Sequence, residues 1–503
     1  MLRLGQGYPI DEHPRSQHDI AIDDRHRLKS IYCIGDSGSG KTRIAESWIM
    51  QDINAVRGFG LLDNQGWAYR RTIAHLLHAF IDPQHPIKDQ LERLSSLVVL
   101  VEPVATDSRI PLNVLASHPG YHPHTITEQT LFAFRSAWAD SWGPRLEDIL
   151  RNCLALLQEH NLTLMELPKL LMNDDYRAML AERSEHPILR QFFLEHLEGI
   201  TKKEYRYWIE STRNKANEFV SNPYLVPMVS HDDCFDFQQA MDLGQIVLIY
   251  LPKRHLHDSG SLMGKLILSR LFIAALNRDE WDPELKNWYL YVDEFQDFAT
   301  STMLDMVTQT RKRGIGLHLF HQNMLQPPFD KDHGFLETVL SNCHTHVYFR
   351  LSHRDAQRLA PEMFTATGDK VKRRRRHWLW GEYGEPRFWT VQEEWQHYYA
   401  ELENQQPKEC YVQLKGAPDP RPYISQAFHV DDSWNVSSSL IDQFREINFA
   451  TWGTPIEKVR EMARNRAQRV EKPREAIRDE GHPINAVEND SGPQDESEKE
   501  DAE

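Results

Sequence analysis

Three stretches of the chain carry residue types whose spacing can do chemistry. Gly35, Asp36, Ser37, Gly38, Ser39, Gly40, Lys41 and Thr42 fit Gly-x4-Gly-Lys-[Ser/Thr] at every fixed position. A match of that kind arises by chance in on the order of a per cent of chains this long. Glycines at these places let successive backbone N–H groups turn inward around phosphate oxygens, at a helix N-terminus that already favours anions. Lys41 would reach the outer phosphates of ATP, and Thr42 would offer its hydroxyl to Mg²⁺. The bland alternative is a flexible Gly/Ser turn.

The second stretch, "NWYLYVDEFQDFAT" (Asn287 to Thr300), runs from bulky apolar residues into Asp293, Glu294 and Asp297. A phosphate loop needs a second acid to hold its metal. Asp293 closes an apolar run, which suits a Mg²⁺ ligand at the C-terminal edge of a parallel sheet. Glu294 follows at once and would orient and deprotonate an attacking water. Asp297 reads as a helix-start residue that complements the dipole.

The third is "TRKRGIGLHLFHQNMLQ" (Thr310 to Gln326). Gln322 ends the next strand, so in a parallel sheet it would sit beside the acid pair, its amide within reach of the γ-phosphate or the water. A glutamine at a strand end is otherwise ordinary. Arg311, Lys312 and Arg313 form a basic cluster that a helix C-terminus favours in any case. The functional alternative is an arginine finger directed at a neighbouring subunit's nucleotide.

Alternating elements would position these groups. "SIYCIG" (Ser30 to Gly35) predicts a buried strand and Lys41 to Ala55 a helix. "FGLLD" (Phe59 to Asp63) and "LVVLVE" (Leu97 to Glu102) predict further strands. From Thr125 to Ser221 the apolar spacing is helical, with a capping box at Thr163 and Glu166. Strands resume at "QIVLIYLP", "NWYLYVD", "GLHLFHQ", "THVYFRL" and "CYVQLKG". The pattern is α/β with a mainly parallel sheet. The expected organisation is an N-terminal arm at 1–27, the first part of the α/β domain at 28–124 and an all-α insertion at 125–221. The second part of the α/β domain follows at 222–430, then a helical segment at 431–470 and an acidic, disordered tail at 471–503.

The totals exclude several classes. With 503 residues there is ample length for a large core. The net charge of -16 argues against a generic nucleic-acid binder, although the acidic tail supplies roughly half of it. Five scattered cysteines with no CxxC pair make neither a disulfide framework nor a zinc site, so the expected compartment is the cytoplasm. No apolar run approaches the roughly eighteen residues a transmembrane helix needs, and the first residues lack the apolar core of a secretory signal.

Against that acidic balance stands "GDKVKRRRRHWLWGEYGEPRFW" (Gly368 to Trp389). Lys370, Lys372, Arg373, Arg374, Arg375 and Arg376 can neutralise phosphates, and Trp378, Trp380 or Trp389 can stack on bases. The alternative is a solvated loop whose tryptophans pack on the body.

Taken in order, the phosphate loop, "VDEFQDF" and "RKRGIGLHLFHQNMLQ" resemble the ATPase core of type IV secretion coupling proteins of the TraD/TraG type, within the HerA/FtsK group. "LLDNQGW" (Leu61 to Trp67), "RIPLNVL" (Arg109 to Leu115), "WGPRLEDILRNCLALL", "LPKRHL…SLMGKLILSRLFIAAL" and "LSNCHTHVYFRLSHRDAQRLA" are similar to further family segments, covering Leu28 to Phe428. The resemblance implies a RecA-like P-loop NTPase fold and a homo-hexameric ring with ATP between subunits, moving DNA through a channel. By position, Asp293 would bind Mg²⁺, Glu294 would be the catalytic acid, Gln322 the sensor and Arg311 the trans finger. Arg145 matches a family arginine without an assigned role. Such proteins carry N-terminal membrane helices or a β-barrel, for which the first 27 residues leave no room. The expected partners are therefore DNA and other copies of the chain, with a relaxase, secretion-channel or nuclease partner able to hold it at a membrane. Two alternatives keep the nucleotide site: a motor whose cargo is protein, and a nucleotide-gated scaffold that assembles an effector.

Overall fold

Short, fully apolar runs need cover on both faces, and the structure supplies it with a sheet of eleven strands between two layers of helices. In chain order the strands are β1 (Leu2–Pro9), β2 (His18–Ile22), β3 (Ile31–Ile34), β4 (Phe59–Asp63), β5 (Val98–Val101) and β6 (Ile246–Tyr250). They continue as β7 (Trp288–Val292), β8 (Ile315–His321), β9 (Thr345–Tyr348), β10 (Glu409–Leu414) and β11 (Tyr423–Gln426). Their order across the sheet is β2-β1-β11-β10-β9-β3-β8-β7-β4-β6-β5. From β9 to β5 every neighbour is parallel, and β10, β11, β1 and β2 add antiparallel strands. This computed structural model describes the chain except residues 13–16, 105–107, 140–141, 198, 325, 327–332, 369–375, 378–380, 383–387, 429, 431–435 and 472–503, and gives only the backbone of 211–212, 333, 376–377, 381–382 and 471.

The order β3-β8-β7 settles the site. The loops after these three strands leave the same edge of a parallel sheet, side by side. They are the loops that begin at Gly35, Gln322 and Asp293. The helix after β3, α1 (Lys41–Asn54), and the helix after β4, α2 (Trp67–Phe80), pack against each other on one face.

In the expected N-terminal arm, 1–27, the described residues include β1, β2 and a short helix, Asp24–Arg27. Leu2, Leu4, Ile20 and Ile22 are buried at alternate positions, the period of a half-covered strand. Arg27 enters the core, where its guanidinium meets Asp52 at 2.5 and 2.7 Å and lies 3.5 Å from the Tyr289 ring centre.

Between 125 and 221 the described elements are helical, among them α3 (Pro123–Ala137) and α4 (Pro144–Glu159). They do not stand apart from the sheet. Phe134, Leu150 and Leu170 share one apolar cluster with Leu62, Val99 and Trp288. Among the described residues one helix, α5 (Asp258–Asn277), is long and apolar enough to cross a membrane by length and composition, and it lies buried within that cluster. Its apolar length comes from being covered on all sides, which the expectation of no such run did not anticipate.

At the far edge, α6 (Ser438–Trp452) closes β5. The Asn448 side chain accepts from Leu100 N–H at 3.0 Å and donates to Val98 C=O at 2.7 Å, pairing backbone groups that an edge strand would leave open. The last described helix, α7 (Ile456–Glu471), is tied down by Arg466, which is buried and meets Asp232 at 2.5 Å and Glu166 at 3.0 Å.

Candidate functional site

The phosphate loop leaves β3 in a conformation that asks for glycine. Gly38 and Gly40 have φ of 74° and 127°. A Cβ on Gly40 would stand 3.0 Å from the Phe349 ring and 3.2 Å from Lys408 Cα, and one on Gly35 would meet Phe349 Cβ at 2.5 Å. Two backbone bonds pin the loop: Asp36 N–H to Arg350 C=O at 2.8 Å and Lys408 N–H to Ser39 C=O at 2.9 Å. The chain then enters α1 with no side-chain cap and no acid in the first turn. The helix N-terminus keeps its anion-binding character.

Lys41 is buried, and its ammonium donates to the carbonyls of Gly35 and, at 3.0 Å, Asp36. Burial pushes this lysine below its usual range, while Glu294, Asp293 and Asp36 among its neighbours pull it back up. The ammonium is thus the counter-charge of the acid pair across the sheet edge.

Asp293 follows β7, its N–H bonded to Leu62 C=O at 3.0 Å. Burial, then the charges of Asp63 and Glu294, push its carboxyl up to about 7, against the pull of Lys41. Asp63 is itself spoken for. Its carboxylate accepts from the N–H groups of Gln65 (2.7 Å), Gly66 (2.8 Å) and Tyr69 (2.9 Å), closing the turn into α2. Gly66 sits at φ 83°, and a Cβ there would strike the Tyr250 ring at 2.5 Å.

Glu294 is buried and holds a left-handed backbone, φ 49° and ψ 50°, without being glycine. Its carboxylate lies between two amides: Gln322 Nε2 donates to Oε1, and Gln296 Nε2 donates to Oε2 at 2.7 Å. Asp297 stands in the first turn of a short 3-10 helix, Phe295–Phe298. Its carboxylate, however, is engaged by Asn64 Nδ2 at 2.6 Å and Lys253 Nζ at 3.1 Å. It cross-links the loops after β4 and β6, and so does more than complement a dipole.

Lys41, Asp293, Glu294 and Gln322 therefore meet at one edge. Arg311 does not join them. It is exposed in the turn before β8, at the opposite end of the strands. There burial and the charges of Lys29, His26 and Arg311 hold His344 down at about 4. Arg313 turns back to donate to Arg278 C=O, while Arg311 and Lys312 face outward. Arg145 stacks on Trp208, 4.6 Å from the ring centre, within the helical segment. Lys370, Lys372, Arg373, Arg374, Arg375, Trp378 and Trp380 lie outside the described residues, and Arg376 is described only as backbone. Gln296 was missed at the sequence level, because a polar residue in the turn after an acid pair carries no signal by itself.

A central β3 followed by a glycine loop, with an acid pair leaving the second strand over, belongs to a RecA-like, mainly parallel α/β fold. Solved coupling-protein structures share this fold. Residues 287–385 match the family model described as the TraM recognition site of TraD and TraG. The plasmid coupling protein TrwB in complex with a non-hydrolysable ATP analogue is similar over 86% of this chain and 95% of that one, with 14% identity and a TM-score of 0.53. TrwB in complex with ADP and Mg²⁺ is similar over 84% and 88%, with 14% identity and a TM-score of 0.51. VirB4 of Thermoanaerobacter pseudethanolicus is similar over 86% and 96%, with 12% identity and a TM-score of 0.51. No curated protein sequence matches the chain.

Proposed function

We propose that the chain is an ATP-hydrolysing motor that assembles as a hexameric ring and moves DNA, in the manner of conjugative coupling proteins. The observation that carries this reading is the convergence of Lys41, Asp293, Glu294 and Gln322 at one sheet edge, with Gln322 bonded to Glu294. The similar TrwB structures hold an ATP analogue in one case and ADP with Mg²⁺ in another, which supports the same ligands here.

The residues fit those ligands. The Gly35–Thr42 loop has no room for a Cβ at Gly35 or Gly40, and Ser39 Oγ is buried there without a partner among the described residues. Asp293, held up at about 7 by burial and then by neighbouring acids, is a carboxylate that a divalent cation would relieve, and Thr42 lies in the first turn of the helix that follows the next strand but one. Mg²⁺ would neutralise charge developing on the phosphates. Lys41 would leave the carbonyls of Gly35 and Asp36 for phosphate oxygens. Glu294 would take a proton from water, and Gln322 would tell the site that the γ-phosphate is in place. Arg311, exposed and remote from its own P-loop, suits a finger offered to the next subunit.

Partners follow from the same reading: DNA, five further copies, and a relaxase, secretion-channel or nuclease component. A second reading, with protein as cargo, is favoured by the description of the matched family segment as a recognition site in TraD and TraG. ATP turnover measured with and without DNA separates the two. A DNA motor is stimulated, and Lys41→Ala and Glu294→Gln abolish both basal and stimulated turnover. A well-formed ring that neither binds nor responds to DNA contradicts the proposal.

A further inference from the structure

We propose that Gln296 is a positioning residue, one that holds the Glu294 carboxylate in register for proton abstraction. This rests on the reading of Glu294 as the base and extends it. Gln296 Nε2 donates to Glu294 Oε2 at 2.7 Å, and the side chain is 8% exposed. Its Oε1 is buried with no partner among the described residues. A core glutamine kept for stability would ordinarily satisfy both ends of its amide. Here the donor end is committed to the acid and the acceptor end is left over.

The turn that carries Gln296 cannot slide away. Phe295 and Phe298 flank it and are both buried. Phe295 packs edge-on against Tyr32 and His321, with ring centres 6.1 and 5.1 Å away. Phe298 lies so close to α5 that a Cβ on Gly264 would meet its ring at 2.3 Å. Asp297 N–H closes the turn onto Glu294 C=O at 2.9 Å. The left-handed backbone at Glu294 is strained in a residue with a Cβ, and its carboxylate lies between two amides.

The two amides differ in origin. Gln322 arrives from the end of β8, whereas Gln296 belongs to the same rigid turn as Glu294. When Gln322 turns toward nucleotide, Oε1 is released while Oε2 stays bonded to Gln296. Oε1 then becomes the basic atom. It takes the water proton as the water oxygen bonds to the γ-phosphorus and the bond to the β–γ bridging oxygen breaks. Both hydrogen-bond donors to the carboxylate are neutral amides, which orient its two oxygens without themselves neutralising its charge.

Gln296→Met tests this in the full-length protein. Methionine has similar length, lacks the donor and also removes the orphaned Oε1. A purely structural role therefore predicts unchanged turnover and equal or greater stability. The proposal predicts a kcat about 10- to 100-fold lower, with KM, affinity for a fluorescent ATP analogue and melting temperature unchanged. Gln296→Asn, which keeps a donor on a shorter arm, should recover part of kcat. Wild-type kcat in Gln296→Met overturns the proposal, as does a loss that tracks weakened nucleotide binding or lowered melting temperature. If Gln296→Met does not fold, Gln296→Asn decides by the same split between kcat and KM. Glu294→Gln with full activity would sink the underlying reading instead. Glu294→Gln inactive beside a fully active Gln296→Met sinks only this inference.

Discussion

Gln322 and Glu294 are separated by 28 positions in the chain, yet the amide of one donates to the carboxylate of the other across adjacent strand ends. The bond joins the group expected to sense the γ-phosphate to the group expected to activate water. Gln322→Ala should therefore bind ATP with near-normal affinity and turn over about 10-fold or more slowly. Steady-state hydrolysis beside equilibrium binding of a fluorescent analogue checks it. Equal losses in binding and turnover would make Gln322 a binding residue instead.

Asp293 makes stability depend on pH in a stated direction. Its folded pKa of about 7 lies above the unfolded carboxylate value, so its contribution is fully present at low pH. It is lost as pH rises through about 7, because the charged form is the one the fold penalises. Without Mg²⁺ or nucleotide, Asp293→Asn should be more stable than wild type at pH 8 by on the order of 1–3 kcal/mol, and the gap should close below about pH 4. Melting curves across that range check it. Added Mg²⁺ should raise the wild-type melting temperature at pH 8 and leave the variant unmoved.

Asn448 carries the open edge of the sheet. Asn448→Ala leaves Leu100 N–H and Val98 C=O buried without partners, each costing about 1–3 kcal/mol. A melting temperature several degrees lower is expected, together with faster association on heating, because β5 then presents a template for another strand. Light scattering during the melt reads the second effect. ATP turnover per folded molecule should be unchanged.

Arg311 should act between subunits. Arg311→Ala and Glu294→Gln rings are each expected to be inactive, and mixing the two kinds of subunit should restore part of the turnover. Verified mixed rings with no recovery would assign the basic turn to structure alone.

The local parts of the site were legible because each is written in consecutive residues. Gly35–Thr42 announces a strand, a phosphate loop and a helix, and the apolar run into Asp293 announces a strand end. What joins them was legible in part: a parallel sheet sets Gln322 beside the acid pair, whereas the order β3-β8-β7 is a property of the whole sheet that no local stretch states. Long-range partners were not legible. Asp297 reads as a helix-start residue until Asn64 and Lys253 are seen against it. β1 and β2 read as an arm because two short strands with polar outer faces show little apolar content until β11 pairs with β1. Asn448 stands 348 and 350 positions from the two residues it bonds, so no window of sequence contains the contact. Gln296 escaped because orienting a neighbour leaves no spacing pattern.

The central claim is that ATP hydrolysis at this sheet edge drives movement along DNA, and the most direct measurement is ATP turnover of the assembled ring as DNA is added. The account predicts a several-fold rise that saturates with DNA and is absent in Glu294→Gln, which should still bind ATP. Turnover that ignores DNA in a ring of verified assembly, or that persists in Glu294→Gln, would contradict it.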